Sequence, residues 1–292
     1  MATKIGSLNL ASSRVLSYAV TSPSSGGQHP FVLLSSSLCA TFAVWDPVVP
    51  QLTALGFNVL RYDAPGHGLS GVPPNLSSTT FDSMAQDIHH LLTHLNIQKL
   101  HAWIGVSLGA ATSIVFASKY PGIVERLIPC DTISCSPVNA GIADIFGPRI
   151  VAAREAGNMD ASIDETLERW FGRPWLDSHP DEAERVWKLM HDTSIDGFET
   201  CCAALRSTSF DLRPLAADAG SHIDSALLLV GEKDVGLFQT MEVLRQGIES
   251  GLKSKRGETV SVNLEVVRNG GHVCFVDGFE SFIDLVTHFL RR

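Results

Sequence analysis

Short, continuous apolar runs alternate with longer stretches of helical periodicity along most of the chain. "FVLLSS", "NVLRYD", "KLHAWIGV", "VERLIPCDT", "SALLLVG" and "VNLEVVRN" read as strands buried on both faces. Between them, "TFDSMAQDIHHLLTHLNI" sets Phe81, Met84, Ile88, Leu91, Leu92 and Leu95 at helical spacing. Further helices are expected at "WDPVVPQLTALG", "LGAATSIVFASKYP", "GLFQTMEVLRQGIESG" and "FESFIDLVTHFLRR". The N-terminal "LNLASSRVLSYAV" predicts a hairpin, followed by the turn "SPSSGGQHP". This alternation predicts an α/β domain, with a mostly parallel central sheet and helices on both faces.

The pattern changes in the middle of the chain. From about Ser134 to Pro214 no strand-like run occurs, and four helical segments stand instead: "AGIADIFGPRIVAAREAG", "SIDETLERWFG", "HPDEAERVWKLMHDT" and "GFETCCAALRST". The acidic first turn of "IDETLERW" suits a helix N-terminus. The expected organisation is a core over 1–133, a helical lid over 134–217, and the rest of the core over 218–292.

Composition narrows the function classes. Hydrophobic residues make up 45% of 292, enough for a sizeable core. The net charge of −9, with no basic run, argues against nucleic acid or an anionic membrane as partner. The six cysteines lack zinc-type spacing, so buried, reduced thiols are expected. The N-terminus is too polar for a signal segment and no apolar run reaches membrane length, so a cytoplasmic protein is expected. The oligomeric state is open, a homodimer included.

The candidate chemistry centres on Gly105-Val106-Ser107-Leu108-Gly109, a G-x-S-x-G between a predicted strand and a predicted helix. Glycines there permit a tight turn that lifts the serine hydroxyl off the sheet, and the helix N-terminus favours developing negative charge. The competing reading is a serine that merely caps the helix. A serine nucleophile needs a base. Of eleven histidines, only His272 stands on a flexible Gly-Gly-His turn after the last strand. The acid that fixes the imidazole should follow the preceding strand, where "GEKD" ends in Asp234; Glu232 and Asp131 are competitors. The backbone N–H groups of Leu108 and Leu38 are the expected oxyanion donors, with Ser37 beside them. His67, in "DAPGHG", is expected to serve turn architecture.

These motifs resemble the α/β-hydrolase superfamily, and within it the 3-oxoadipate enol-lactonases. The resemblance runs from roughly Val15 to the C-terminus and rests on "LGFNVLRYDAPGHGLS", "GVSLGAATSIVFASKYPGIVERLIPCDT", "ETLERWF" and "CCAALRSTSFDLR". It implies an α/β-hydrolase fold with an inserted helical lid, and a Ser107–His272–Asp234 triad that opens a small lactone without metal or organic cofactor. It also implies a carboxylate-bearing substrate. Arg149, Arg154 and Arg206 are the candidate cations, and Trp45, Trp170, Phe171 and Trp175 the candidate aromatic walls. The chain departs from the family pattern at Ser35-Ser36-Ser37-Leu38-Cys39-Ala40, where these lactonases typically read Ser-Asn-Ser-Leu-Gly-Thr, and at Leu108, where many carry Met. The alternatives are a relative acting on another lactone or carboxylic ester, or a ligand receptor on the same scaffold.

Overall fold

A computed structural model describes residues 1–10 and 14–291. In chain order the strands are β1 (Ala2–Asn9), β2 (Val15–Ser22), β3 (Phe31–Ser35), β4 (Asn58–Tyr62), β5 (Leu100–Val106), β6 (Val124–Cys130), β7 (Ser225–Gly231) and β8 (Asn263–Val267). They form one sheet in the order β1-β2-β4-β3-β5-β6-β7-β8. β1–β2 and β2–β4 pair antiparallel and every later pair is parallel. The first two strands are the expected hairpin; Ala11–Ser13 of its turn lie outside the described residues. The central strands are apolar along their length because helices cover both faces, and β3, β5 and β7 are buried almost throughout.

The helices of the first half are α1 (Val49–Ala54), α2 (Phe81–His94) and α3 (Leu108–Lys119). α2 starts at a capping box, in which Thr80 and Ser83 each accept the other's backbone N–H. It buries Phe81, Met84, Ile88, Leu91 and Leu92, the face its spacing predicts. Arg14 clasps Asp87 on this helix through two hydrogen bonds of 2.9 and 2.8 Å.

Seven helices separate β6 from β7: α4 (Pro137–Ala140), α5 (Phe146–Ala156), α6 (Asp160–Phe171), α7 (Arg173–Ser178), α8 (Pro180–His191), α9 (Ile195–Arg206) and α10 (Leu215–His222). The sequence pattern suggests four segments. The additional pieces are α4, which starts at Pro137 behind the Ser136 cap, α7, which Gly172 and Pro174 set off from α6, and α10, which follows Pro214. α10 packs on core helices rather than on α4–α9. The remaining helices are α11 (Leu237–Arg256), α12 (Cys274–Asp277) and α13 (Phe279–Leu290). A Cβ on Gly251 of α11 would lie 1.8 Å from the Ala217 carbonyl oxygen, so α10 and α11 meet at backbone distance. α11 runs five residues beyond the expected span, to Arg256, over a turn where Lys253 pairs with Glu249.

All six cysteines are buried and none is disulfide-bonded. Among the described residues no helix is long and apolar enough to cross a membrane. The loops after β3, β5, β6, β7 and β8 leave from the same, carboxyl edge of the parallel sheet, where ligand sites of such sheets form.

Candidate active site

β5 ends at Val106 and α3 begins at Leu108, so Ser107 alone makes the strand-to-helix turn. Its backbone is left-handed and strained, with φ 54° and ψ −115°. Tight packing enforces the turn. A Cβ on Gly105 would lie 2.7 Å from Ser35 Oγ, and one on Gly109 would lie 2.5 Å from the Ser35 carbonyl oxygen. The Ser107 N–H donates to the Cys130 carbonyl at 2.9 Å, leaving the residue tied to the next strand. Its side chain makes no capping hydrogen bond to α3. While Val106 and Leu108 are buried, Ser107 is half-exposed and lines a cavity of about 230 Å³.

His272 lines the same cavity. Its Nδ1 is hydrogen-bonded to Asp234 Oδ2 at 2.7 Å. Two further contacts hold the residue. The His272 backbone N–H donates to the Trp170 carbonyl at 3.1 Å, and the imidazole stacks on the Trp170 indole at 5.7 Å between centroids. Gly271 makes this approach possible, since a Cβ there would lie 1.7 Å from the Trp170 carbonyl oxygen. Asp234 is carried by the turn that follows β7, with its N–H on the Gly231 carbonyl at 3.0 Å.

The competing acids are engaged elsewhere. Glu232 accepts the Asn269 N–H at 2.8 Å. Asp131 is completely buried, and its Oδ1 accepts the Gly231 N–H at 2.7 Å. Burial, and then the Asp234 charge, push its pKa well above the ordinary carboxylate value.

The loop after β3 forms the facing wall with Ser37, Leu38 and Cys39. Among the described residues neither the Leu38 N–H nor the Leu108 N–H has a hydrogen-bond acceptor. The Leu108 side chain itself is buried and is not part of the cavity lining. Ser37 Oγ and Trp170 Nε1 are buried without hydrogen-bond partners, and both residues belong to the lining. The remaining wall comes mostly from α4–α6, with Ile142, Ile145 and Phe146 supplying apolar surface.

Two arginines reach the cavity, Arg149 and Arg169. Arg149 is partly engaged: it donates to Thr166 Oγ1 and, at 3.4 Å, to the Ser162 carbonyl, and it lies over the Phe198 ring. Arg169 has no hydrogen-bond or ion-pair partner among the described residues. The residue stays exposed; crowding by the protein around it, and then the neighbouring Arg149 charge, lower its pKa from the ordinary arginine value. Its helical position in "LERWF" looks like that of a solvated arginine, so pattern alone does not single it out.

Other expected wall residues are placed elsewhere. Trp45 is fully buried and stacks on Phe275 at 3.6 Å, inside the core and away from the cavity. Arg206 pairs with Asp144 at 2.6 Å on the surface, and Arg154 with Asp196 and Glu199. Neither belongs to the lining, nor do Phe171 and Trp175. Among the described residues no three His, Cys, Asp or Glu side chains cluster as metal ligands would.

A profile of the α/β-hydrolase fold matches residues 30–193, more than half of the chain. The chain belongs to that family. It is 25% identical over 283 residues to 3-oxoadipate enol-lactonase 1 of Acinetobacter baylyi, covering 95% of this chain and 94% of that protein. The enol-lactonase of Burkholderia xenovorans LB400 superposes with a TM-score of 0.82 at 25% identity, covering 98% of this chain and all of that one. A hydrolase from Pseudomonas aeruginosa PA01 superposes with a TM-score of 0.83 at 26% identity, with 98% of each chain covered.

Proposed function

We propose that this α/β hydrolase opens a small, carboxylate-bearing lactone through an acyl-enzyme on Ser107, with the 3-oxoadipate enol-lactone as the reference substrate. The observation that carries the reading is the meeting, in one cavity, of a strained serine with a histidine held by Asp234. Ser107 attacks the lactone carbonyl as His272 takes its proton. The Leu38 and Leu108 N–H groups receive the oxyanion, which explains why both lack acceptors. Collapse breaks the ring C–O bond. His272 protonates the departing enol oxygen, which stays tethered to the acyl chain and tautomerises to a ketone. His272 then draws a proton from water, which attacks the acyl-enzyme and frees the acid. No step calls for a metal or organic cofactor.

Arg169 is the partner for the substrate carboxylate, with Arg149 beside it. A charge-assisted hydrogen bond of this kind contributes about 1.5–3 kcal/mol. Arg169→Gln should therefore raise KM roughly 10- to 100-fold for a lactone that carries a carboxylate. KM for the methyl ester of the same lactone should stay within a factor of three or so. Steady-state kinetics on the paired substrates test the assignment. A wild type that prefers bulky neutral lactones would refute the carboxylate-lactone reading and support a relative acting on another lactone or ester. Cys39 favours that alternative, since it belongs to the cavity lining at the position where the resemblance to the lactonases would put glycine.

A further inference from the structure

The loop between β3 and the turn at Phe42–Trp45 carries the Leu38 N–H, so its position decides where that donor points. At its start it is gripped by the nucleophile helix: the Gly109 N–H donates to the Ser36 carbonyl at 3.0 Å. At its end the Phe42 N–H donates to Asp63 Oδ1 at 2.7 Å. Between these anchors Cys39 has φ 69°, which a non-glycine residue holds only when its surroundings fix it.

His67 fixes it. The Cys39 N–H donates to His67 Nε2 at 2.9 Å. With Nε2 accepting, the ring proton sits on Nδ1, which donates to the Pro65 carbonyl at 3.0 Å. His67 is fully buried, and burial holds it neutral by pushing its pKa down to about 4. The segment carrying His67 is braced on its other side by the α8–α9 junction. The Gly68 N–H donates to the Asp192 carbonyl at 3.2 Å, and the Ser194 N–H to the Gly66 carbonyl at 3.2 Å. A Cβ on Gly197 would lie 2.2 Å from the Gly66 carbonyl oxygen, so α9 rests directly on this segment.

We propose that His67 is the positioning residue of the oxyanion hole: its Nε2 holds the Cys39 N–H and so aims the Leu38 N–H at the developing charge. The α8–α9 junction reaches that donor through His67. The assignment rests on the acyl-enzyme reading above. A neutral acceptor at Nε2 is what the position requires, so Gln can substitute and an apolar side chain of similar size cannot.

The test compares His67→Leu and His67→Gln with wild type. The probe is phenylboronic acid, whose tetrahedral adduct with a serine presents an oxygen to the oxyanion donors. Fluorophosphonate titration counts the competent sites, so misfolded protein does not enter the comparison. Per competent site, His67→Leu should lower kcat for p-nitrophenyl acetate roughly 10- to 100-fold with KM within about threefold. Boronate affinity should fall by the same factor, and His67→Gln should restore both to within about threefold of wild type. Boronate affinity of His67→Leu within twofold of wild type, or a Gln variant as poor as Leu, would overturn the assignment. A wild type that does not bind the boronate at all would instead bring down the acyl-enzyme reading, and this role with it.

Discussion

Ser107→Ala loses hydrolysis of the best lactone or ester by roughly 10⁴-fold or more in kcat, while the protein folds and melts as before or slightly higher. The activity loss follows from the proposed mechanism, in which the Ser107 hydroxyl forms the acyl-enzyme. The unchanged or improved stability follows from the backbone. Ser107 sits at φ 54° and contributes no cap to α3, so removing the hydroxyl costs the helix nothing. A serine whose job was capping would behave in the opposite way, with activity retained and roughly 1 kcal/mol of stability lost. Activity and thermal melts on the one variant therefore separate the two readings. Substrate binding that survives in the alanine variant beside a wild type without turnover would favour the receptor reading.

Asp234→Asn lowers kcat by roughly 10³- to 10⁴-fold with little change in KM. Asp234 accepts from His272 Nδ1, and in the proposed mechanism that bond leaves Nε2 free to take the serine proton. An asparagine can present its NH₂ group instead, which turns the imidazole to the wrong tautomer. Asp131 does not rescue the variant: one carboxylate oxygen is bound to the Gly231 N–H and burial favours its neutral form. Kinetics of Asp234→Asn against Asp131→Asn check the division of roles. Equal losses of kcat in the two variants would return Asp131 to candidacy as the acid that holds His272.

Much of this geometry could be read from the chain because local chemistry dictated it. Gly105 and Gly109 flank a residue that must turn sharply, and the structure shows their missing Cβ atoms as the space occupied by the Ser35 backbone and side chain. Gly271 and His272 follow the last strand and meet Trp170 at backbone distance, a fit that only glycine allows. The walls of the cavity were harder to read, because helical spacing does not say which face a neighbour covers. Trp45 stands close in sequence to the oxyanion loop, yet the turn at Phe42–Trp45 swings it into the core against Phe275. Arg206 stands in a stretch that resembles the lactonases, yet Asp144 draws it to the surface. Arg169 was invisible for the opposite reason: its side chain has no partner on its own helix, and its place emerges only once α6 is laid over the sheet's carboxyl edge. The link from His67 to Cys39 spans 28 residues and joins two loops that no periodicity relates.

The central claim is an acyl-enzyme on Ser107, and mass spectrometry of an acid-quenched reaction tests it most directly. Wild type mixed briefly with p-nitrophenyl acetate should gain one acetyl group, mapped by digestion to the peptide that contains Ser107. The adduct should accumulate further in His272→Ala if that variant is acylated at high pH, because deacylation then lacks its base. Steady turnover by wild type with the acetyl group absent from Ser107, or found on another residue and persisting in Ser107→Ala, would contradict the account.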